Sequence, residues 1–431
     1  MSAEAITLGL PEKSDGNDNQ ERERISQHVE FAIANDQCLE ILGGEYPTNE
    51  FSGCEELRGI SFKGCSFPRG LTLSGVRNGA YIIFEDCQFN SFAPIVIHSV
   101  DVNIFRFENC HHSVITHTYE RPFTDEVGLL IIDRSYIHSA FIEHSLISVE
   151  IDDSEVANKL NLVGLGRKDK KVDVFLKNTN LNTYETIIKN CTIDQVKIED
   201  TRSSIENGIL YSIESSIDCF FLGGSSLENH NLFFDTRFSG SLLIEDSKTD
   251  DILMAYRPAD KDAENTVKRL SIRSSSVGEI NVCGRKLESP VDFTSTEFRK
   301  SPKFHSVDVP QGSIFPSYSH YHEKTGEQAT RAYRTLRLAM EAQRAREEEG
   351  TFYQLEQESI LNNLANRQKA FYFSFWYHIL SGYGTNYQRP LILLFILTFS
   401  FTAIYSLIFS PVLGFQYDFD FSVIGNALIF S

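Results

Sequence analysis

Between about residues 55 and 300 the chain repeats one short pattern of positions. A bulky apolar residue is followed by two mostly polar ones, a small residue, a variable residue and a second apolar residue. Phe62-Lys-Gly-Cys-Ser-Phe67, Phe84-Glu-Asp-Cys-Gln-Phe89, Ile142-Glu-His-Ser-Leu-Ile147, Ile151-Asp-Asp-Ser-Glu-Val156 and Leu176-Lys-Asn-Thr-Asn-Leu181 carry it. So do Ile188-Lys-Asn-Cys-Thr-Ile193, Leu222-Gly-Gly-Ser-Ser-Leu227, Phe233-Phe-Asp-Thr-Arg-Phe238, Ile272-Arg-Ser-Ser-Ser-Val277 and Phe293-Thr-Ser-Thr-Glu-Phe298. The units recur at about 10 and about 22–25 residues, as short strands joined by turns do when each coil closes on the last. Their apolar ends point inward. The fourth position is Cys, Ser or Thr in every unit and reads as a tight inward or turn-facing place. The chain is therefore expected to be mainly β, with a β-solenoid over residues 51–315.

The flanks read differently. Residues 1–19 are polar and expected to be disordered. Ile25, Val29, Phe31, Ala32, Ile33, Leu39 and Ile41 predict a helix within 20–50 that ends at Gly43-Gly44 and caps the first coil. Past Pro316 the spacing turns helical: Ala329, Ala332, Tyr333, Leu336, Met340 and Gln343 recur at three- and four-residue steps. Gly350 marks an expected break before a second helix with Phe352, Tyr353, Leu355, Ile360, Leu361 and Leu364. Arg344 and Glu348 are one turn apart and can pair on the exposed face. Residues 316–386 thus form a helical, membrane-proximal linker.

From Pro390 to Tyr417 there is no Asp, Glu, Lys, Arg or His. The stretch Leu391–Leu413, with Leu391, Leu394, Phe399, Leu407 and Leu413 along it, meets the length a bilayer span needs, about 20 apolar residues. Its Ser and Thr hydroxyls can bond back to helix carbonyls. Arg367, Lys369 and Arg389 precede it and Asp418 and Asp420 come after it, which places the N-terminal side in the cytoplasm. Trp376, within an aromatic run from Phe371 to Tyr377, and Arg389 are the expected interfacial anchors. Residues 387–431 hold this span and a short C-terminal segment.

Charge and chemistry narrow the picture further. Against 40 Lys+Arg stand 59 Asp+Glu, a formal charge of −19, which argues against a nonspecific nucleic-acid binder. The N-terminus lacks the apolar core of a secretory signal, and the cysteines include no C-x-x-C pair, so buried thiols are expected rather than disulfides or a metal site. His111, His112 and His117, and His320 with His322, match no zinc spacing. Asp152-Asp153 and Asp250-Asp251 read as solvated turns. There is no phosphate loop and no nucleophile elbow. No catalytic residue, cofactor or metal is expected, and the chain is not read as an enzyme.

The repeats resemble degenerate pentapeptide repeats, which implies a right-handed parallel β-helix. Tyr333-Arg-Thr-Leu-Arg-Leu338, Phe352-Tyr-Gln-Leu-Glu356 and Gly382-Tyr-Gly-Thr-Asn-Tyr-Gln-Arg-Pro390, leading into the apolar span, are similar to the membrane-proximal part of bacterial pentapeptide-repeat proteins with a two-helix potassium-channel-like pore. Phe421–Ser431 is similar to the start of that family's pore helix, with Asn426, Ala427, Leu428, Phe430 and Ser431 at pore-helix-like positions. The resemblance implies a filter of the Thr-Val-Gly-Tyr-Gly type and a second span after that point. The chain as written ends at Ser431, so it is expected to be a channel subunit truncated before the filter. Gly382-Tyr383-Gly384 precedes the span and reads as a turn instead of a filter.

Two functions remain in view. One is an ion-channel-like subunit of the inner membrane whose cytoplasmic solenoid senses or assembles, with the lipid bilayer and further copies of itself as partners. The other is a single-span tether whose solenoid face binds a protein partner without conducting. A glycan-processing enzyme of the β-helix kind is a distant third, since a cytoplasmic body would not meet such a substrate.

Overall fold

A computed structural model of the chain describes residues 5–10, 18–47, 50–51, 57–74, 80–89, 95–98, 102–118, 128–143, 146–235, 238–255, 266–364, 372–384 and 387–409. They fall into two compact units, one ending at His322 and one beginning at Glu323.

The first unit is a parallel β-solenoid of about ten turns. Among the described residues, one parallel sheet of twelve strands and a second of fifteen run its length, completed by short ladders such as Ser226–Leu227, Lys248–Thr249, Ser276–Val277 and Glu297–Phe298. Successive strands are in register. Leu8, Ile41, Phe62, Phe84, Phe107, Ile132, Ile151, Leu176, Ile198, Leu222, Ile244 and Ile272 therefore lie above one another in a single column. None is more than 3% exposed, and each contributes about 1.5–3 kcal/mol of burial. Phe84 stacks between Phe62, at 4.9 Å, and Phe107, at 5.0 Å, both with rings 7° from parallel.

The repeated unit is a corner. Its third residue takes the left-handed conformation: Asp86, Asp153, Asn178, Asn190, Asp246 and Ser274 have φ between 45° and 54°. Short polar side chains tolerate that region because they bond locally. The next residue, the small fourth position, turns inward: Cys87, Ser154, Thr179, Cys191, Ser247 and Ser275 are all buried. Their hydroxyls and thiols form a ladder. The Thr201 N–H donates to Ser225 Oγ, the Ser225 N–H to Ser247 Oγ and the Ser247 N–H to Ser275 Oγ, each at 3.1 Å. Each of these hydroxyls donates in turn to the carbonyl two residues before it, Ser275 to Arg273 at 2.6 Å. A backbone N–H buried at a corner, where the strand ladder is interrupted, thus finds an acceptor.

The N-terminal end departs from expectation. Ala5–Gly9 is a strand paired with Cys38–Leu42, although it lies in the segment expected to be disordered. Helix α1 spans Asp18–Ala34, and Leu39 and Ile41 lie on the Cys38–Leu42 strand instead of the predicted helix. A left-handed Asp36 (φ 52°) comes after α1, and Leu39 and Ile41 sit two residues apart, which puts both side chains on one face of a strand. At the other end the solenoid continues past Pro316: Asp292 bridges Ile314 and Phe298 bridges Tyr321. Tyr321 stacks on Phe298 at 5.5 Å, so the sheet reaches beyond the expected limit at residue 315.

The second unit is helical: α2 (Glu327–Gln343), α3 (Arg346–Asn362), α4 (Phe373–Ser381) and α5 (Gln388–Phe409). Helices α2 and α3 pack as a hairpin that buries Ala329, Ala332, Tyr333, Leu336 and Met340 of the first and Phe352, Leu355 and Ser359 of the second. The break between them is at Arg344, left-handed at φ 59°, and α3 runs through Gly350. Arg344 therefore ends α2 and does not share a helix face with Glu348. The acidic Glu347, Glu348 and Glu349 sit in the first turn of α3, where the helix dipole favours them and offsets the cost of a glycine at Gly350.

Candidate functional site: the apolar helix and its approach

Helix α5 is the one helix among the described residues long and apolar enough to cross a membrane. Pro390 sits in its first turn, where a missing N–H costs nothing, and from there through Phe409 no side chain is charged. A core helix of this composition would bury its side chains. This one exposes them: Leu391 is 46% exposed, Leu394 60% and Phe399 72%. Leu407 lies in the same helix, while Leu413, Asn426, Ala427, Leu428, Phe430 and Ser431 fall outside the described residues. The hydroxyls of Ser400 and Thr402 each donate to the carbonyl four residues back, Ile396 and Thr398, at 2.7 Å. Those polar groups are satisfied inside the helix.

Helix α4 leads into it. Tyr372, Trp376, Ile379 and Leu380 recur at helical spacing along α4 and the residue before it, and all are exposed, Trp376 at 51%. Arg389, in the first turn of α5, donates from Nη1 to the His378 carbonyl at 3.1 Å. The two predicted anchors are thus on adjoining helices, and one of them ties those helices together.

Gly382-Tyr383-Gly384 is the turn between α4 and α5. All three residues are left-handed, with φ of 56°, 59° and 83°. A Cβ on Gly384 would sit 2.7 Å from the Tyr377 hydroxyl, and at φ 83° a side chain there is strained whatever the space, which favours glycine. Tyr383 is 4% exposed and its ring meets those of Tyr353, Tyr377 and His378. Sequence reasoning placed the turn but gave Tyr383 no role. The signal was present in an aromatic residue held between two glycines in a segment already rich in rings.

On the solenoid, Asp250 pairs with Arg299 at 3.1 Å and Asp251 with Lys300 at 2.6 Å, so these neighbouring carboxylates are structural partners. The Asp251 pairing holds the Lys300 ammonium above its ordinary range. Cys65, Cys87, Cys110 and Cys191 are buried free thiols, while Cys54 lies outside the described residues. Burial pushes the Cys191 thiol up to about 11, which leaves little thiolate at neutral pH. Among the described residues no three His, Cys, Asp or Glu are placed to hold a metal ion. One outward row of the second sheet is apolar: Ile187, Tyr211, Phe233 and Leu253 occupy successive rungs, with Tyr211 and Phe233 edge to face at 5.6 Å. Comparison with protein-family models, curated proteins and solved structures finds no match for this chain.

Proposed function

We propose that the chain is a membrane-anchored β-solenoid subunit, held in the inner membrane by α5 with its solenoid in the cytoplasm. The observation that carries this reading is the exposure of α5. A helix with Leu394 and Phe399 mostly uncovered is costly in water, and a lipid environment removes that cost. Arg389 before the span fits the orientation, and Trp376 on α4 fits the headgroup level.

In its finer form the subunit is channel-like: several copies group their membrane segments, and the solenoids act as cytoplasmic sensing or assembly domains. The support for this form is the run Tyr333–Leu338, Phe352–Glu356 and Gly382–Pro390 that leads into α5. A second reading is a non-conducting tether whose solenoid docks a protein. The outward row Ile187, Tyr211, Phe233 and Leu253 favours it, because that row spends apolar surface on the outside of the coil.

The test is fractionation of the full chain. The protein should stay with membranes through an alkaline carbonate wash, and protease should reach the solenoid only in inverted vesicles. Release by carbonate would remove the anchor, and cleavage in right-side-out vesicles would reverse the orientation. Cross-linking in the membrane then separates the two finer forms: ladders of the chain alone support the channel-like assembly. A photoreactive residue at Tyr211 that captures a different polypeptide supports the tether.

A further inference from the structure

We propose that Tyr383 is the positioning residue through which the α2–α3 hairpin sets the placement of α4 and α5. This inference rests on the reading of α5 as a membrane segment.

The contacts form one continuous series. Glu356, 3% exposed, accepts from Arg334 Nε at 2.7 Å, and Arg337 Nε lies 3.3 Å from its other oxygen. The Arg337 guanidinium in turn sits over the Tyr353 ring, 5.8 Å from its centre. Tyr353 meets Tyr383 edge to face at 6.3 Å. Tyr383 then packs on Tyr377 at 6.0 Å and on His378 at 5.0 Å, both on α4. The His378 carbonyl accepts from Arg389, at the start of α5. Tyr383 is the member common to α3 and α4.

Its backbone points the same way. A tyrosine adopts φ 59° only where its surroundings hold it, and here a glycine on either side shares the left-handed turn. The ring is buried in a turn whose neighbours Gly384 and Tyr387 are exposed. Helices α2 and α3 are held to each other by a buried carboxylate shared between two guanidiniums. The Tyr383 ring is where this hairpin grips the membrane-proximal segment. Loosening the grip at Arg337 should be felt on α4 only while Tyr383 is present.

The chain has one tryptophan, Trp376 on α4, so its fluorescence reads the placement of that helix directly. The full chain is reconstituted in phosphatidylcholine–phosphatidylglycerol vesicles containing lipids doxyl-labelled at a shallow or a deep carbon. The ratio of shallow to deep quenching is then measured. Arg337→Ala should change this ratio about twofold in the parent and leave it unchanged in a Tyr383→Ala background, the non-additivity expected of coupled residues. Tyr383→Phe should behave as the parent, since the ring makes these contacts. If Tyr383→Ala fails to keep native helix content by circular dichroism, Tyr353→Leu interrupts the same series from the α3 side and should likewise abolish the Arg337→Ala effect. An unchanged ratio in Arg337→Ala, or effects that simply add, overturns the proposal while the protein remains in the membrane pellet. Release of the parent by carbonate, with quenching by aqueous iodide alone, instead removes the membrane reading and the proposal with it.

Discussion

The backbone N–H of Ser225 donates to the hydroxyl of Ser247, one coil further along, at 3.1 Å. The Ser247 hydroxyl donates in turn to the Glu245 carbonyl at 2.7 Å, with the Leu222 carbonyl also in reach at 3.3 Å. Ser225, Ser247 and Ser275 each serve two coils at once in this way. That explains why the position accepts Ser, Thr or Cys: each has one donor, at least one acceptor and little bulk.

Removing that hydroxyl should be expensive for so small a change. Ser247→Ala leaves the buried Ser225 N–H without its acceptor and should lower stability by about 1–3 kcal/mol. Ser247→Cys should cost less, since the Cys191 thiol already accepts from the Leu165 N–H at 3.4 Å. Denaturant midpoints of the two variants give the comparison, and equal midpoints would mean the ladder is not a stabilising element.

The corner residue before it is conformationally selected. Asn178 has φ 46°, so Asn178→Gly should be tolerated while Asn178→Val should destabilise by about 1–2 kcal/mol, the cost of a branched side chain in the left-handed region. Thermal unfolding followed by far-UV circular dichroism distinguishes them. A valine variant as stable as the glycine variant would contradict the left-handed corner.

His230 is fully buried, its Nε2 3.3 Å from the Thr183 carbonyl. Burial holds its pKa below the ordinary 6.5, only partly opposed by that carbonyl. The unfolded chain therefore binds this proton more readily than the folded one. The contribution is intact above pH 6.5 and is lost as pH falls from there through the folded-state value. Between pH 7.5 and pH 5 the parent should lose more stability than His230→Gln. Parallel pH profiles for the two proteins would sink this assignment.

A charge in the apolar helix gives the plainest test of the anchor. Leu394 is 60% exposed in the first half of α5, and Leu394→Arg should disfavour insertion by up to about 2.5–3.5 kcal/mol, the cost of a charge at the centre of a span. Leu394→Phe should insert like the parent. Membrane fractionation with both variants decides, and an arginine variant that pellets as the parent does would mean α5 is not in lipid.

Much of the fold is legible in the sequence because a solenoid writes its geometry locally. The repeated unit marks Phe62, Phe84, Ile151, Leu176, Leu222 and Ile272 as inward, and all are buried in one column. The expected hydroxyl back-bonds of the apolar segment appear at Ser400 and Thr402. Leu39 and Ile41 mislead because two apolar residues two apart, just after a helical run, fit the tail of a helix as well as the start of a strand. The partner strand Ala5–Gly9, which decides between them, lies across the whole of α1. Gly350 misleads because a lone glycine is a weak breaker, and tertiary packing of Phe352 and Leu355 carries α3 through it.

The sequence by itself determined the features that depend on neighbours along the chain: the corner, the inward column and the charge-free helix. Tertiary structure alone decided those that depend on residues far apart. The third corner residue could have been any turn, but the stacking of coils made it left-handed and turned Ser247 toward Ser225. Nothing in the spacing of Tyr353 and Tyr383 foretold that their rings would meet, because ring contacts depend on how three helices pack. A repeat settles its own local shape, whereas a joint between elements exists only once the elements have found each other.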